Sequence, residues 1–547
     1  MYRSRLLNSK KCPIFSLLLA SVCVSCNEWQ KKIATPTAYS VFSDRLKEVL
    51  KPMDTTNKKM ARSVAVDVRK TYGQNGYLPI WVGENYSPNE ASDKFVAELE
   101  DLQWDGLNPE RYNLAAIRLL KQRMDTTKHN KLPDAIALDT LLTHSYLAAA
   151  RDLLFGEIAP KKADSLWFHV NDTVWDAPKL LANKEKYPPL ADFRSDMPQY
   201  LLLRSEYRRY IALAKDTDLN NAIAAVHYTK RPDSVMADQI AYIIKAEMPW
   251  VEAPDNDSSV QETSYLIAYQ NYSGIKTTGK LDSATFAHLA MPPAVYLKKL
   301  SANMERIRWM QKQFGDLYLV VDVPQMELFL RRNGADAIHM RVVVGKPERQ
   351  TPSLFATMAN IVINPSWGVP PTILKKDVLP GLRKSGRKYM RSKGLKVYDN
   401  EGNVVDPSFI NESNYKRYTY KQAPGDDNSL GYVKFNLPNP WDIYLHDTPH
   451  RDDFGKRDRF LSSGCIRLQH PQEMAIYILS DLEGKKNYTP GKLDSVIATH
   501  KTKWEILKTK IPVHIAYLTA YSDSTGKHVQ FIRDIYQRDD KLISLLN

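Results

Sequence analysis

Tyr444-Leu445-His446-Asp447-Thr448-Pro449, followed after a gap by Ser462-Ser463-Gly464-Cys465-Ile466-Arg467, is the stretch from which this chain is most informatively read. Cys465 is the only cysteine after Cys26; the other three (Cys12, Cys23, Cys26) crowd into the first 26 residues. A folded body with one thiol can form neither an internal disulfide nor a multi-cysteine metal site. The thiol is then either inert packing or a nucleophile, and its neighbours favour the nucleophile. A thiol near neutral pH is mostly protonated, so it needs a base within hydrogen-bond reach. His446 stands nineteen positions earlier and reaches Cys465 if the chain folds back through Phe460–Gly464. On an extended strand, residues 444 and 446 share a face. Tyr444 and His446 are therefore expected at the site, with Ile443 and Leu445 in the core. Gly464 allows close backbone approach to a substrate. The N–H groups of Gly464 and Cys465 are candidate oxyanion donors, worth about 3 kcal/mol each. Ser463 is a candidate for orienting the imidazole, and Arg467 for binding a substrate carboxylate. Trp367 either stacks on substrate or fills core.

Outward from this stretch, residues 315–540 read as β-rich. Leu317–Val323 is β-branched, Met326–Leu330 turns through the hairpin signal Asn333-Gly334, and Met340–Val344 follows. Further strand-like runs are 359–363, 431–436, 442–445 and 513–519. The segment 372–428 reads as a long irregular insertion, expected to be a lid over the substrate. Upstream, 257–295 shows a helix, a Gly-bearing turn and a second helix beginning near Asp282, and 296–314 an amphipathic connecting helix. Residues 61–250 carry mainly helical periodicity, and 26–60 are polar enough to predict a linker. The fold class is multidomain α+β: a helical scaffold, a small three-helix unit and a β-rich catalytic domain.

The bulk properties agree with this division. At 547 residues the chain exceeds what one core supports. A hydrophobic fraction of 43% with ten Trp indicates a globular protein. The net charge of +14 favours anionic partners. The basic residues are dispersed, without an arginine-rich tract or zinc finger, so no nucleic acid is expected. Arg3, Arg5, Lys10 and Lys11 precede a short apolar stretch ending at Cys26, which reads as an export signal over 1–25. Ser25-Cys26 resembles a lipobox, with Cys26 lipidated, so an exported, periplasmic, membrane-anchored lipoprotein is expected.

The run from Trp441 to Arg467 resembles the catalytic motif of the L,D-transpeptidases, with their YkuD-type domain. Val344-Gly345-Lys346 with Thr351-Pro352, Asn364-Pro365-Ser366-Trp367 with Val369-Pro370, and Asn428-Ser429-Leu430-Gly431 also resemble that family, over about 315–540. Residues 257–295 resemble a peptidoglycan-binding domain. The resemblance implies a cysteine acyltransferase of cell-wall assembly that forms 3→3 cross-links between stem peptides and releases D-Ala. It implies no cofactor and no metal. Its partners would be peptidoglycan stem peptides and glycan, a membrane through the lipid anchor, and cell-wall synthases as candidates. An L,D-carboxypeptidase using water, a non-catalytic peptidoglycan-anchoring lipoprotein and an unrelated thiol protease are the alternatives.

Overall fold

The computed structural model describes residues 37–51, 64–126, 130–182, 187–252, 259–523 and 525–546. The expected signal segment and Cys26 lie outside these residues. Among the described residues no helix is long and apolar enough to cross a membrane.

The N-terminal region is helical, but it begins earlier than expected. Ala38–Leu50, inside the span read as linker, is a helix whose Thr37 hydroxyl accepts from the Ser40 N–H. Phe42, Leu46 and Leu50 recur every four residues and are buried together with Tyr72, Trp81, Phe95 and Tyr146. Charged residues between them mask that stripe in the sequence. The long helix Leu132–Phe155 runs through this core. Its buried Asp139 accepts from the N–H groups of Ile80 (2.9 Å) and Trp81 (2.7 Å), which holds the Tyr77–Trp81 turn against the helix.

This first core ends at Phe193, not at residue 250 as expected. The helices Pro198–Lys215, Thr217–Ala225 and Ser234–Glu247 belong instead to a second core that continues into the C-terminal half. Helical periodicity is blind to which core a helix faces. The 257–295 unit consists of helices Ser259–Tyr272 and Ser283–Leu289. Gln270 staples the turn between them: its Oε1 accepts from the Thr278 N–H and Gly279 N–H, and its Nε2 donates to the Lys280 carbonyl. The connecting helix, Pro293–Arg308, is enclosed along its second half, Ala302–Arg308. Its buried charges are paired, as burial requires: Arg306 with Asp539 (2.6 Å) and Arg308 with Glu305 (2.9 Å).

The C-terminal half is a mixed β-barrel. Its strands are β1 (Leu317–Asp322), β2 (Glu327–Arg332), β3 (Ala335–Gly345), β4 (Ser353–Ile363), β5 (Val433–Asn436), β6 (Leu445–His446), β7 (Ile466–Leu468) and β8 (Lys503–Ala516). The order β4-β5-β6-β7-β3-β2-β1-β8 closes because β8 also pairs with β4. The β2–β3 hairpin turns at Asn333 and Gly334, both at positive φ, as the Asn-Gly signal predicts. β8 starts ten residues before the expected run, because its first half, Lys503–Lys510, turns Trp504 and Ile506 outward and buries Glu505, so no ordinary apolar-in alternation marks it.

The insertion is not irregular. Pro371–Ser392 is helical, with a wider turn at Leu374–Val378 and a break at Gly386. It packs on an antiparallel sheet made from 367–368, 395–398, 404–405 and 419–422. Leu374, Val378, Leu382, Met390, Leu395, Val397 and Tyr420 form a separate small core there. The wide turn and the Gly386 break interrupt the 3.6-residue period, which hides the helix in the sequence.

Candidate active site

β6 and β7 run parallel and side by side, with Leu445 opposite Ile466 and His446 opposite Arg467. Tyr444 and Cys465 stand one step earlier on the same pair, where the Ile466 N–H donates to the Tyr444 carbonyl (3.2 Å). The fold-back expected between Phe460 and Gly464 is present, and it brings the thiol and the imidazole to adjacent strands. Ile443 and Leu445 are buried in the core, as the alternation requires. The Tyr444 and His446 rings meet edge to face, with centroids 5.5 Å apart.

The imidazole is buried and held by backbone. Its Nδ1 lies 2.6 Å from the Asp447 carbonyl oxygen. Nδ1 must therefore be the protonated nitrogen, which leaves Nε2 as the acceptor. Asp447 is itself fixed: its carboxylate accepts from the N–H groups of Tyr432 (2.8 Å) and Thr448 (2.6 Å) and pairs with Arg451. Burial, with Arg467 and then Lys434 nearby, pushes the His446 pKa down to about 3. Burial pushes the Cys465 thiol up, against the opposing pull of the Tyr444 N–H, the Tyr444 hydroxyl and Lys434. At neutral pH the resting pair is thus a neutral thiol beside a neutral imidazole.

Ser463 does not orient the imidazole. It is exposed, and its hydroxyl accepts from Arg349 (2.8 Å). Ser462 is the inward serine: its hydroxyl donates to the Cys465 carbonyl (2.5 Å) and accepts from the Gly464 N–H (3.1 Å). That second bond occupies the Gly464 N–H, so of the two expected oxyanion donors only the Cys465 N–H stands clear. Gly464 itself adopts φ +120°, a conformation that glycine tolerates best. Its carbonyl accepts from Thr351 (2.9 Å), tying the loop to the β3–β4 connection.

Arg467 is half-buried, and one Nη lies 3.2 Å from Asp453. Trp367 sits where the insertion leaves the barrel and packs against the insertion core. Its indole and the Cys465 thiol both lie near the Tyr444 hydroxyl. Arg349 adds a second link to the insertion, donating to Asp377 (2.8 Å) as well as to Ser463. His450 and His470 are exposed, as expected of surface residues.

Three residues escaped the sequence reading. Asp447 supplies the carbonyl that holds His446, Ser462 closes the nucleophile loop, and Lys434 stands across the β5–β6 ladder from His446. The Lys434 Nζ lies 4.1 Å from the centroid of the Tyr444 ring. Gly431 adjoins this network at φ +59°, and a Cβ there would fall 2.4 Å from the Asp447 carboxyl. Gly431→Ala should therefore cost about 2–3 kcal/mol and disturb His446. A thermal melt that matches the parent's would contradict this.

Residues 316–513 match the YkuD family, the L,D-transpeptidase catalytic domain, and residues 66–206 match the Scaffold domain family. The C-terminal half is thus similar to an L,D-transpeptidase catalytic domain, and the region ahead of it to a scaffold domain. A putative L,D-transpeptidase of Haemophilus influenzae is 34% identical over 248 residues, 45% of this chain and 49% of that protein. The chain spans about half the length of that curated relative. Among solved structures, the catalytic domain of an E. faecium L,D-transpeptidase acylated by ertapenem is 13% identical, covering 37% of this chain and 98% of that one, with a TM-score of 0.18. An L,D-transpeptidase from Mycobacterium smegmatis is also 13% identical, over 38% and 60% of the two chains, again with a TM-score of 0.18.

Proposed function

We propose that the protein is an L,D-transpeptidase of the bacterial cell wall that works through an acyl-enzyme on Cys465. The observation that carries this reading is the seating of Cys465 beside His446 on parallel strands, with Nδ1 tied to a backbone carbonyl and Nε2 left to accept. The substrate is a stem tetrapeptide. The Cys465 sulfur attacks the carbonyl between the third residue, a diamino acid, and the terminal D-Ala. His446 Nε2 takes the thiol proton, and the Cys465 N–H meets the oxyanion. The C–N bond breaks, the proton passes to the departing D-Ala amine, and a thioester remains. The side-chain amine of a neighbouring stem's diamino acid then attacks the thioester, giving a 3→3 cross-link and the free thiol.

Two neutral partners lower the charge buried at rest, and proton transfer accompanies attack. Lys434 has the sign and position to favour the developing thiolate, through the Tyr444 ring and hydroxyl. Lys434→Met should shift alkylation of Cys465 to higher pH and slow it about fivefold at pH 7. An unchanged pH profile would remove Lys434 from the mechanism. Arg467, with one arm on Asp453, keeps donors for a substrate carboxylate.

Localisation belongs to the same reading: the basic and apolar N-terminal segment supports export, with Cys26 as a lipid attachment point. Cell-wall synthases are its natural partners there. The test is incubation of the purified protein with tetrapeptide muropeptides and analysis of the products by mass spectrometry. Cross-linked dimers that have lost one D-Ala support transpeptidation. Tripeptides alone would make the enzyme a carboxypeptidase, and unchanged substrate would sink both.

A further inference from the structure

A wide hollow lies away from Cys465. It is a cleft of about 1170 Å³ on the seam between the Ser259–Leu289 helical unit and the barrel. Ligand pockets commonly lie at such domain junctions. The two bodies are in close contact where a Cβ on Gly274 would fall 2.3 Å from the Phe531 carbonyl oxygen, and Tyr272 packs edge-on against Phe531 beside it. Around that contact the walls carry seven Lys and Arg side chains against the four carboxylates of Glu327, Asp336, Asp458 and Asp523. Some of the cations are neutralised: Arg459 by Glu327 (2.9 Å), Arg533 by Asp458 (2.6 Å) and Lys456 by Asp453 (2.6 Å).

Arg341, Arg457 and Lys527 also line the cleft, and none of them has a carboxylate partner among the described residues. Arg457 makes one long bond to the Gly274 carbonyl (3.4 Å) and lies near both the like charge of Arg533 and the carboxylate of Asp458, which is itself paired with Arg533. Facing cations across a cleft disfavour one another and are relieved when an anion comes between them. Beside them Trp250 stacks flat on His528, centroids 3.9 Å apart, adding an aromatic wall of the kind that sugar faces lie against. The 455–459 wall runs directly into Phe460–Ser462 and so to the nucleophile loop. Asp453, at the other end of that wall, holds Arg467.

We propose that this seam cleft is a second binding site, taking a carboxylate-bearing glycan–peptide strand of the wall and holding it beside the loop that carries Cys465. The identity of the ligand rests on the transpeptidase reading above; the existence of an anion-binding cleft does not. The test is co-sedimentation of the full chain with purified peptidoglycan sacculi, native or with their carboxylates amidated. Carbapenem acylation of Cys465 is followed in parallel. Arg457→Glu combined with Lys527→Glu should weaken binding to native sacculi about tenfold or more and leave the acylation rate unchanged. Amidated sacculi should bind the parent as weakly as native sacculi bind the variant. Because a double charge reversal can unfold the seam, Arg457→Gln is carried alongside and should weaken binding with acylation intact. Parent-like sedimentation of an acylation-competent Arg457→Gln protein, or equal binding of amidated and native sacculi, overturns the proposal. A parent chain that sediments normally but is never acylated counts against the transpeptidase reading and not against the cleft.

Discussion

Cys465→Ala is expected to abolish peptide transfer, by about 10⁴-fold or more, without unfolding the protein. Without sulfur there is no atom to carry the acyl group, so the loss is of the reaction path and not of a fraction of its rate. The fold should survive because the thiol contributes little to it. Cys465 is only partly buried, and its one hydrogen bond as a donor is a long contact, 3.6 Å to the Asp442 carbonyl. The loop around it is held by other groups: Ser462 on the Cys465 carbonyl, Thr351 on the Gly464 carbonyl, and the β6–β7 ladder. Product analysis and a thermal melt together decide the matter. Residual dimer formation at more than about a thousandth of the parent rate would point to another nucleophile.

His446→Gln should cost about 10³–10⁴-fold in transfer, since glutamine fills similar space but takes no proton. The pH profile of the parent is more discriminating. An imidazole at its ordinary value of 6.5 would protonate and fail in mild acid; this one is held near 3 by burial and by Arg467 and Lys434. Transfer should therefore show no acid limb near pH 6.5 and should stay level through neutral pH, because the neutral thiol gives its proton to the neutral imidazole during attack. A sigmoidal loss of activity centred near pH 6.5 would show that His446 is more open to water than its burial implies. The depressed imidazole also ties stability to pH. Its folded pKa lies below its unfolded one, so its contribution is complete above about pH 6.5 and is lost as the pH falls toward 3.

The thiol–imidazole pair could be read from the sequence because chemistry restricts it: one cysteine, a histidine within reach of a fold-back, and a glycine before the nucleophile. The hairpin at Asn333-Gly334 was legible for a similar reason, since few residues tolerate that turn. What lay hidden depended on register or on partners. Ser462 and Ser463 are adjacent, and which one turns inward is decided by the Gly464 backbone, which no residue pattern reports. A slip of one position exchanges the two faces. Lys434 reads as one charged residue in a short strand; only the pairing of β5 with β6 places it opposite His446. Asp447 acts through its carbonyl, a group every residue has, so side-chain chemistry could not single it out. The Ala38–Leu50 helix and the insertion were obscured by charge and by broken periodicity, and the end of the first core near Phe193 by the similarity of one buried helix to another.

Intact-mass analysis of the protein after incubation with a carbapenem tests the acyl-enzyme most directly. A single adduct with the mass of the drug, mapped by peptide digestion to the fragment containing Cys465 and absent from Cys465→Ala, is the predicted result. Folded parent protein that gains no mass, or an adduct mapped to any other residue, would contradict the assignment of Cys465 as the acyl carrier.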